Sequence, residues 1–200
     1  IAYFRSIPNM VISSPMNESE LRNLMYTAQL SENNAPFVIR YPRGEGVLSN
    51  WQTPFEKIEI GKGRKLKDGK DIAIISFGHP GNFAATAIRN VLKEGITPAH
   101  YDLRFVKPID EDLLHEVCKT YPNIITVEDG TVVGGMDSAI LEFMARYGYK
   151  NNIRILGIPD SIVEHGTPKQ LHHECGYDVG GIENAIWTIA QLTTTNKCYQ

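Results

Sequence analysis

The sequence predicts an α/β protein built on a mainly parallel sheet flanked by helices, and three observations carry that expectation. Beyond residue 70, short apolar runs alternate with stretches whose apolar residues recur at helical spacing, the pattern of strand–helix–strand units. The alternation extends to the stripe ending at Ile189, and strand alternating with helix means a parallel sheet. An apolar content of 42% in 200 residues is enough to bury a core.

Taken in order, Ile1 to Pro8 mixes aromatic and apolar residues without a cap or a polar tail and reads as a cut inside a fold. Met10 to Ile12 is a short apolar run. Asn17, followed by Glu20, forms a capping-box-like start for a helix striped by Leu21, Leu24, Met25 and Ala28. Phe37 to Ile39 reads as a buried strand. From Leu48 to Asp71 the pattern dissolves into Trp51, Pro54, several glycines and the basic Arg64, Lys65 and Lys67, the composition of a surface linker. The alternation then runs strand Asp71 to Phe77, helix Phe83 to Leu92, strand Ala99 to Phe105, helix Asp110 to Tyr121 and strand Ile124 to Val127. It continues with a helix bearing Ile140, Phe143, Met144 and Tyr147, a strand Ile153 to Ile158 and a helix striped by Ile182, Ala185, Ile186 and Ile189. Thr193 to Gln200 is polar and aperiodic. The expected organisation is an α/β piece over 1–50, too short to close a core around its own sheet, a linker over 51–65, a second α/β domain over 66–195 and a tail over 196–200.

A formal net charge of −3 and a pI near 6.1 leave no broad basic field for nucleic acid or an anionic membrane surface, so any anion must be held by local groups. No apolar run reaches the roughly 20 residues a bilayer span needs, and the N-terminus lacks the regions of a secretory signal, so a cytoplasmic protein is expected. Cys118, Cys175 and Cys198 are odd in number and lack CxxC spacing, which fits reduced thiols better than disulfides or zinc.

Four constellations could carry chemistry. Arg40-Tyr41-Pro42-Arg43-Gly44 lies where a strand ends, the position at which open parallel sheets bind ligands. Pro42 stiffens the turn, and guanidinium offers phosphate oxygens a planar pair of charged donors. Either arginine could instead be an interdomain ion pair; Arg40 suits that role and Arg43 the anion. Gly78-His79-Pro80-Gly81-Asn82 enters a helix but lacks G-x-G-x-x-G spacing, so it reads as a tight turn rather than a phosphate cradle. Glu128 and Asp129 beside Gly130 could hold Mg²⁺ or move protons, although a pairing of Glu128 with Arg104 or Lys107 is favoured. His165, His172, His173 and Cys175 hint at a metal, but neighbouring helical residues diverge by about 100°, so a solvated helix face is the better reading.

The runs Arg5 to Ile12, Ser14-Pro15 and Arg40 to Gly44 resemble the second half of the pyrimidine-binding domain of the 1-deoxy-D-xylulose-5-phosphate synthases, a transketolase-like family. Asp102 to Asp110, Thr126 to Gly130 with Gly134-Gly135, and Gly157 to Asp160 resemble the transketolase C-terminal domain of the same family. The resemblance implies a cytoplasmic homodimer that uses thiamine diphosphate and Mg²⁺. It also implies a reaction that decarboxylates pyruvate and joins the two-carbon unit to D-glyceraldehyde 3-phosphate, feeding isoprenoid, thiamine and pyridoxal biosynthesis. Arg43 matches the arginine that holds the sugar phosphate, and Arg40 a supporting position. The family's diphosphate and Mg²⁺ motif, its activating glutamate and its substrate-facing histidines fall before Ile1. No catalytic, cofactor-binding or metal-binding residue is therefore expected within these 200 residues, nor thiamine binding or turnover by them alone. Two rival readings are the β subunit of a 2-oxo acid dehydrogenase E1, which hands its acyl group to a lipoyl carrier, and a non-catalytic dimerisation module.

Overall fold

The computed structural model describes residues 1–197. The N-terminal part supplies α1 (Ala2–Arg5), β1 (Val11–Ser13), α2 (Glu18–Ala28) and β2 (Phe37–Ile39). There follow β3 (Arg64–Lys67), β4 (Ile72–Phe77), α3 (Pro80–Val91), β5 (Ala99–Asp102), β6 (Phe105–Lys107), α4 (Glu111–Thr120), β7 (Asn123–Thr131), α5 (Met136–Tyr147), β8 (Asn152–Ile158), α6 (Pro168–Glu174) and α7 (Val179–Lys197). Five strands form the larger sheet in the order β3-β5-β4-β7-β8, parallel except for β3 at one edge.

Side chains alternate across that sheet, so each buried strand feeds two cores. Ala73, Ile75 and Phe77 point to the side covered by α4 and α5, where Leu114, Val117, Ile140 and Phe143 pack. Ile72 and Ile74 point to the other, covered by α3 and α7 through Ala84, Ile88, Ile182 and Ile186. Coverage on both faces is why the β4 run carries no polar alternation, and every residue of β4 is buried.

The expected single strand from Ala99 to Phe105 is broken. Arg104 adopts a left-handed conformation (φ 56°), and the chain leaves β5 in the large sheet to place β6 antiparallel to β1. A second sheet, β2-β1-β6, results, with β1 and β2 parallel. The N-terminal part shares a core with β6 through Phe105, which is fully buried against Val11, Leu24 and Ile58. Lys107 donates to the carbonyls of Arg5 (2.7 Å) and Ile7 (2.6 Å), tying α1 to the same strand.

Asn17 caps α2 as predicted, accepting from the Glu20 amide at 3.0 Å. The Glu20 side chain turns inward instead of back to the helix start. It takes a paired contact from Arg104 (2.9 Å twice) and another from Arg64 (2.8 Å), while Arg64 also meets the buried Asp102 at 3.0 Å. This rotates α2: Glu20, Asn23, Leu24 and Thr27 are its buried residues, and Met25, expected in the core stripe, is exposed.

The stretch expected as a linker is fastened to α2, with the Glu56 amide donating to Asn23 and the Ile58 amide to Thr27. It ends in β3, which sequence patterning misses because a solvated edge strand needs no apolar alternation. Helix α7 runs on through Lys197, so the polar residues from Thr193 continue a helix. Residues 198–200, with Cys198, lie outside the described residues.

Removing one partner from a buried charge cluster strands the others. Glu20→Ala is expected to cost about 3–5 kcal/mol of unfolding free energy in urea titrations followed by far-UV circular dichroism.

Candidate anion-binding site

The strand ends β2, β4 and β7 open on one side, and the site is assembled there. At β2 the Arg40 backbone is clamped by β1: its amide donates to the Ser13 carbonyl (2.9 Å), and the Ser14 hydroxyl donates to its carbonyl (2.7 Å). The Arg40 guanidinium reaches Asp129 at the end of β7, 3.4 Å away, and the other oxygen of Asp129 accepts from the Tyr177 hydroxyl at 2.8 Å. Arg40 is thus occupied in an ion pair linking the N-terminal part to the larger sheet. Burial, then the Asp129 charge, pushes the Tyr177 phenol up, which keeps it a hydrogen-bond donor.

Arg43 is placed differently. Two residues on, past Pro42, it is exposed, has no hydrogen bond or ion pair among the described residues and lines a cavity of about 850 Å³. His79, Phe83, Asp129, His172 and Tyr177 line the same space. Of the two predicted arginines the structure therefore leaves one guanidinium open to a ligand.

The opposite wall begins at Gly78, whose positive φ (74°) and 2.1 Å clearance to the Ser14 hydroxyl for an added Cβ leave room for glycine alone. The next amides are satisfied within the turn, Gly81 to the Gly78 carbonyl and Asn82 to that of His79, each at 3.0 Å. No phosphate cradle is formed, but His79 is set at the cavity. Its imidazole is held below its ordinary pKa by burial first and by His172 second, against the opposing pull of Asp129 and Glu18.

The histidines of α6 separate. His172 packs among Phe83 and Tyr177, with ring centroids 5.3 and 5.1 Å away, whereas His173 faces outward to Asp178 at 2.8 Å and His165 is exposed. No group of three or more His, Cys, Asp or Glu residues able to hold a metal exists among the described residues. Cys118 and Cys175 are free thiols, and burial pushes Cys118 up to about 11.

The acidic pair also divides. Glu128 was expected to meet Arg104 or Lys107, but those are taken by Glu20 and by backbone carbonyls. It lies instead under the N-terminus of α5, accepting from the Met136 amide at 2.8 Å, where helix-end N–H groups offer a carboxylate nearer partners. Gly135 is required there, since a Cβ would stand 2.0 Å from Glu128 Oε1. Asp137 is buried beside it. Burial raises both carboxyls, and the Asp137 charge raises Glu128 further, so the pair favours holding a proton between them.

A family model described as "Transketolase, C-terminal domain" matches residues 61–182, more than half of the chain. The chain belongs to the transketolase C-terminal domain family. The match takes in the larger sheet from just before β3 to the start of α7. Proteins named 1-deoxy-D-xylulose-5-phosphate synthase align across both parts. That of Cytophaga hutchinsonii is 59% identical over 93% of this chain and 29% of its own length. That of Bacteroides thetaiotaomicron is 59% identical over 96% of this chain and 30% of its own length, and that of Aquifex aeolicus 44% identical over 93% and 29%. The chain thus spans under a third of the length of these curated relatives. Among solved structures, one described as "Split gene transketolase, inactive beta4 tetramer" superposes with a TM-score of 0.83 at 28% identity, covering 96% of this chain and 61% of that one. The α/β fold predicted from the strand–helix alternation, and the transketolase type implied by the resemblance, are therefore what is observed.

The buried acids give this transketolase C-terminal domain a pH signature. Because folding raises both pKa values, their contribution to stability is complete below the ordinary carboxylate range and is lost as pH climbs through the raised values. Asp137→Asn is expected to raise the melting temperature at pH 8 and flatten its fall between pH 5 and 8, read by differential scanning calorimetry.

Proposed function

We propose that the chain is the C-terminal part of a 1-deoxy-D-xylulose-5-phosphate synthase, with Arg43 holding the phosphate of the acceptor D-glyceraldehyde 3-phosphate. On this reading 1–50 is the second half of a pyrimidine-binding domain, 51–65 a linker and 66–195 the C-terminal domain of a cytoplasmic homodimer. The observation that carries it is the division between the two arginines: Arg40 is spent on Asp129, and Arg43 stands unpaired at a cavity. Identity of 59% to proteins of that name supports the same reading over a 2-oxo acid dehydrogenase β subunit, whose lipoyl carrier needs no such arginine in the pocket.

The part played by these residues is positioning. A guanidinium beside a proline grips the phosphoryl end of the triose and fixes the distance from there to the aldehyde carbon. The Arg40–Asp129–Tyr177 chain holds the backbone from which Arg43 projects. Thiamine diphosphate with Mg²⁺, when bound by the whole enzyme, would supply the electron sink for decarboxylating pyruvate. The described residues do not fit that group. Glu128 is turned to helix amides, Asp129 to Arg40 and Tyr177, and Asp102 to Arg64, which leaves no cluster for the metal.

In the whole enzyme, Arg43→Ala is expected to raise KM for D-glyceraldehyde 3-phosphate by about tenfold to a hundredfold, the worth of a charge-assisted hydrogen bond, with KM for pyruvate unchanged. An unchanged acceptor KM would remove the basis of the proposal. Calorimetric titration of the 200-residue chain with thiamine diphosphate and Mg²⁺ is expected to give no binding, and micromolar affinity would contradict the placement of that site elsewhere in the enzyme.

A further inference from the structure

We propose that His79 and His172 form a second, titratable wall of the Arg43 site, so that a phosphoryl dianion bound there is accompanied by uptake of a proton on the imidazole pair. The inference rests on the phosphate reading of that site and adds residues and a pH dependence to it.

The geometry starts from two ends of the fold. His79 leaves the end of β4 and meets Phe83 edge-on, with centroids 4.9 Å apart; His172 comes inward from α6 onto Phe83 and Tyr177. The two imidazoles are 6.4 Å apart and line the cavity that Arg43 enters. Both are half-buried, and neither has a hydrogen-bond partner among the described residues. Ring nitrogens kept partly from water and facing a cavity are donors in search of an acceptor.

The surrounding charges explain why the imidazoles would decide the outcome. Asp129, which faces His79, is paired with Arg40 and accepts from Tyr177, and Asp178 accepts from His173 and the Gly181 amide. That leaves Arg43 and Lys169 against Glu45 and Glu164 at the cavity, with Glu18 acting on His79 from α2. The lining cations and anions balance and Glu18 leaves an excess of one negative charge, which one added proton offsets. Without ligand, burial and then the neighbouring ring hold the His79 imidazole below its ordinary pKa; a dianion placed beside it opposes that depression and favours proton uptake. Affinity gained this way is present below the ligand-bound pKa of His79 and is lost as pH rises through it. Its lower limit is protonation of the phosphate itself near pH ~6.

The test uses the whole enzyme with D-glyceraldehyde 3-phosphate. The wild-type acceptor KM is expected to rise about fivefold to tenfold from pH 6.5 to 8.5, within the tenfold per pH unit that one linked proton allows. His79→Gln combined with His172→Phe, which keeps an aromatic ring between Phe83 and Tyr177, is expected to raise KM about tenfold at pH 6.5, change kcat less than twofold and abolish the slope. Binding calorimetry in two buffers of different ionisation enthalpy is expected to show net proton uptake by the wild type at pH 7.5. No net uptake overturns the proposal whatever the variants do, as does a double variant with the wild-type KM and slope. If Arg43→Ala raises KM while the histidine variant does not, only this inference fails; if Arg43→Ala is also silent, the phosphate reading fails with it.

Discussion

Glu20 is a carboxylate with little access to water, and its charge is tolerated only because two guanidiniums close on it. Arg64 comes from the edge strand β3, Arg104 from the kink between β5 and β6, and Asp102 completes the cluster from below. Each charge would be costly alone and the four are nearly balanced together, so helix α2 has one position in which all are satisfied. The relation of the smaller sheet to the larger follows from that position. Complete burial pushes Asp102 up to about 6; Arg64 pulls it back, Glu20 adds to the rise and Arg104 opposes it. The stability Asp102 contributes is therefore complete in acid and is lost as pH rises through about 6.

The candidate site inherits this geometry. Its residues come from β2, β4, β7 and α6, which belong to different sheets and layers, and their convergence requires the two sheets to be docked as they are. A second link, Arg40 to Asp129 to Tyr177, repeats at the strand ends what Glu20 does below: a charge from the N-terminal part is paired with one from the larger sheet. Because that link occupies Arg40, the neighbouring Arg43 is left at a cavity without an ion pair among the described residues.

Several elements were legible because their cause is local. The β4 run, the stripe Ile182–Ala185–Ile186–Ile189 and the Asn17 cap depend on residues within one or two turns, and the structure places them where the pattern puts them. The divergence of His172 and His173 likewise follows from helical spacing. The misreadings share a different cause. Met25 is apolar at the right interval for the core, yet a distant pair of arginines turns the helix and leaves it exposed. Glu128 was given a basic partner on the strength of charge, when helix amides eight residues ahead were closer. The strand from Ala99 to Phe105 gave no local sign of its break at Arg104, since the break serves a pairing with β1, some ninety residues earlier.

Strand and helix periods, the proline-stiffened arginine turn and the transketolase-type resemblance are determined by the sequence itself, because each rests on the side-chain chemistry of neighbouring residues. Which arginine is free, which histidine faces the cavity and which carboxylate is buried without a cation were decided only by the tertiary structure. Those outcomes depend on charges brought together from more than eighty residues apart, as in Arg40–Asp129 and Glu20–Arg104, where satisfying one buried group removes a partner from another.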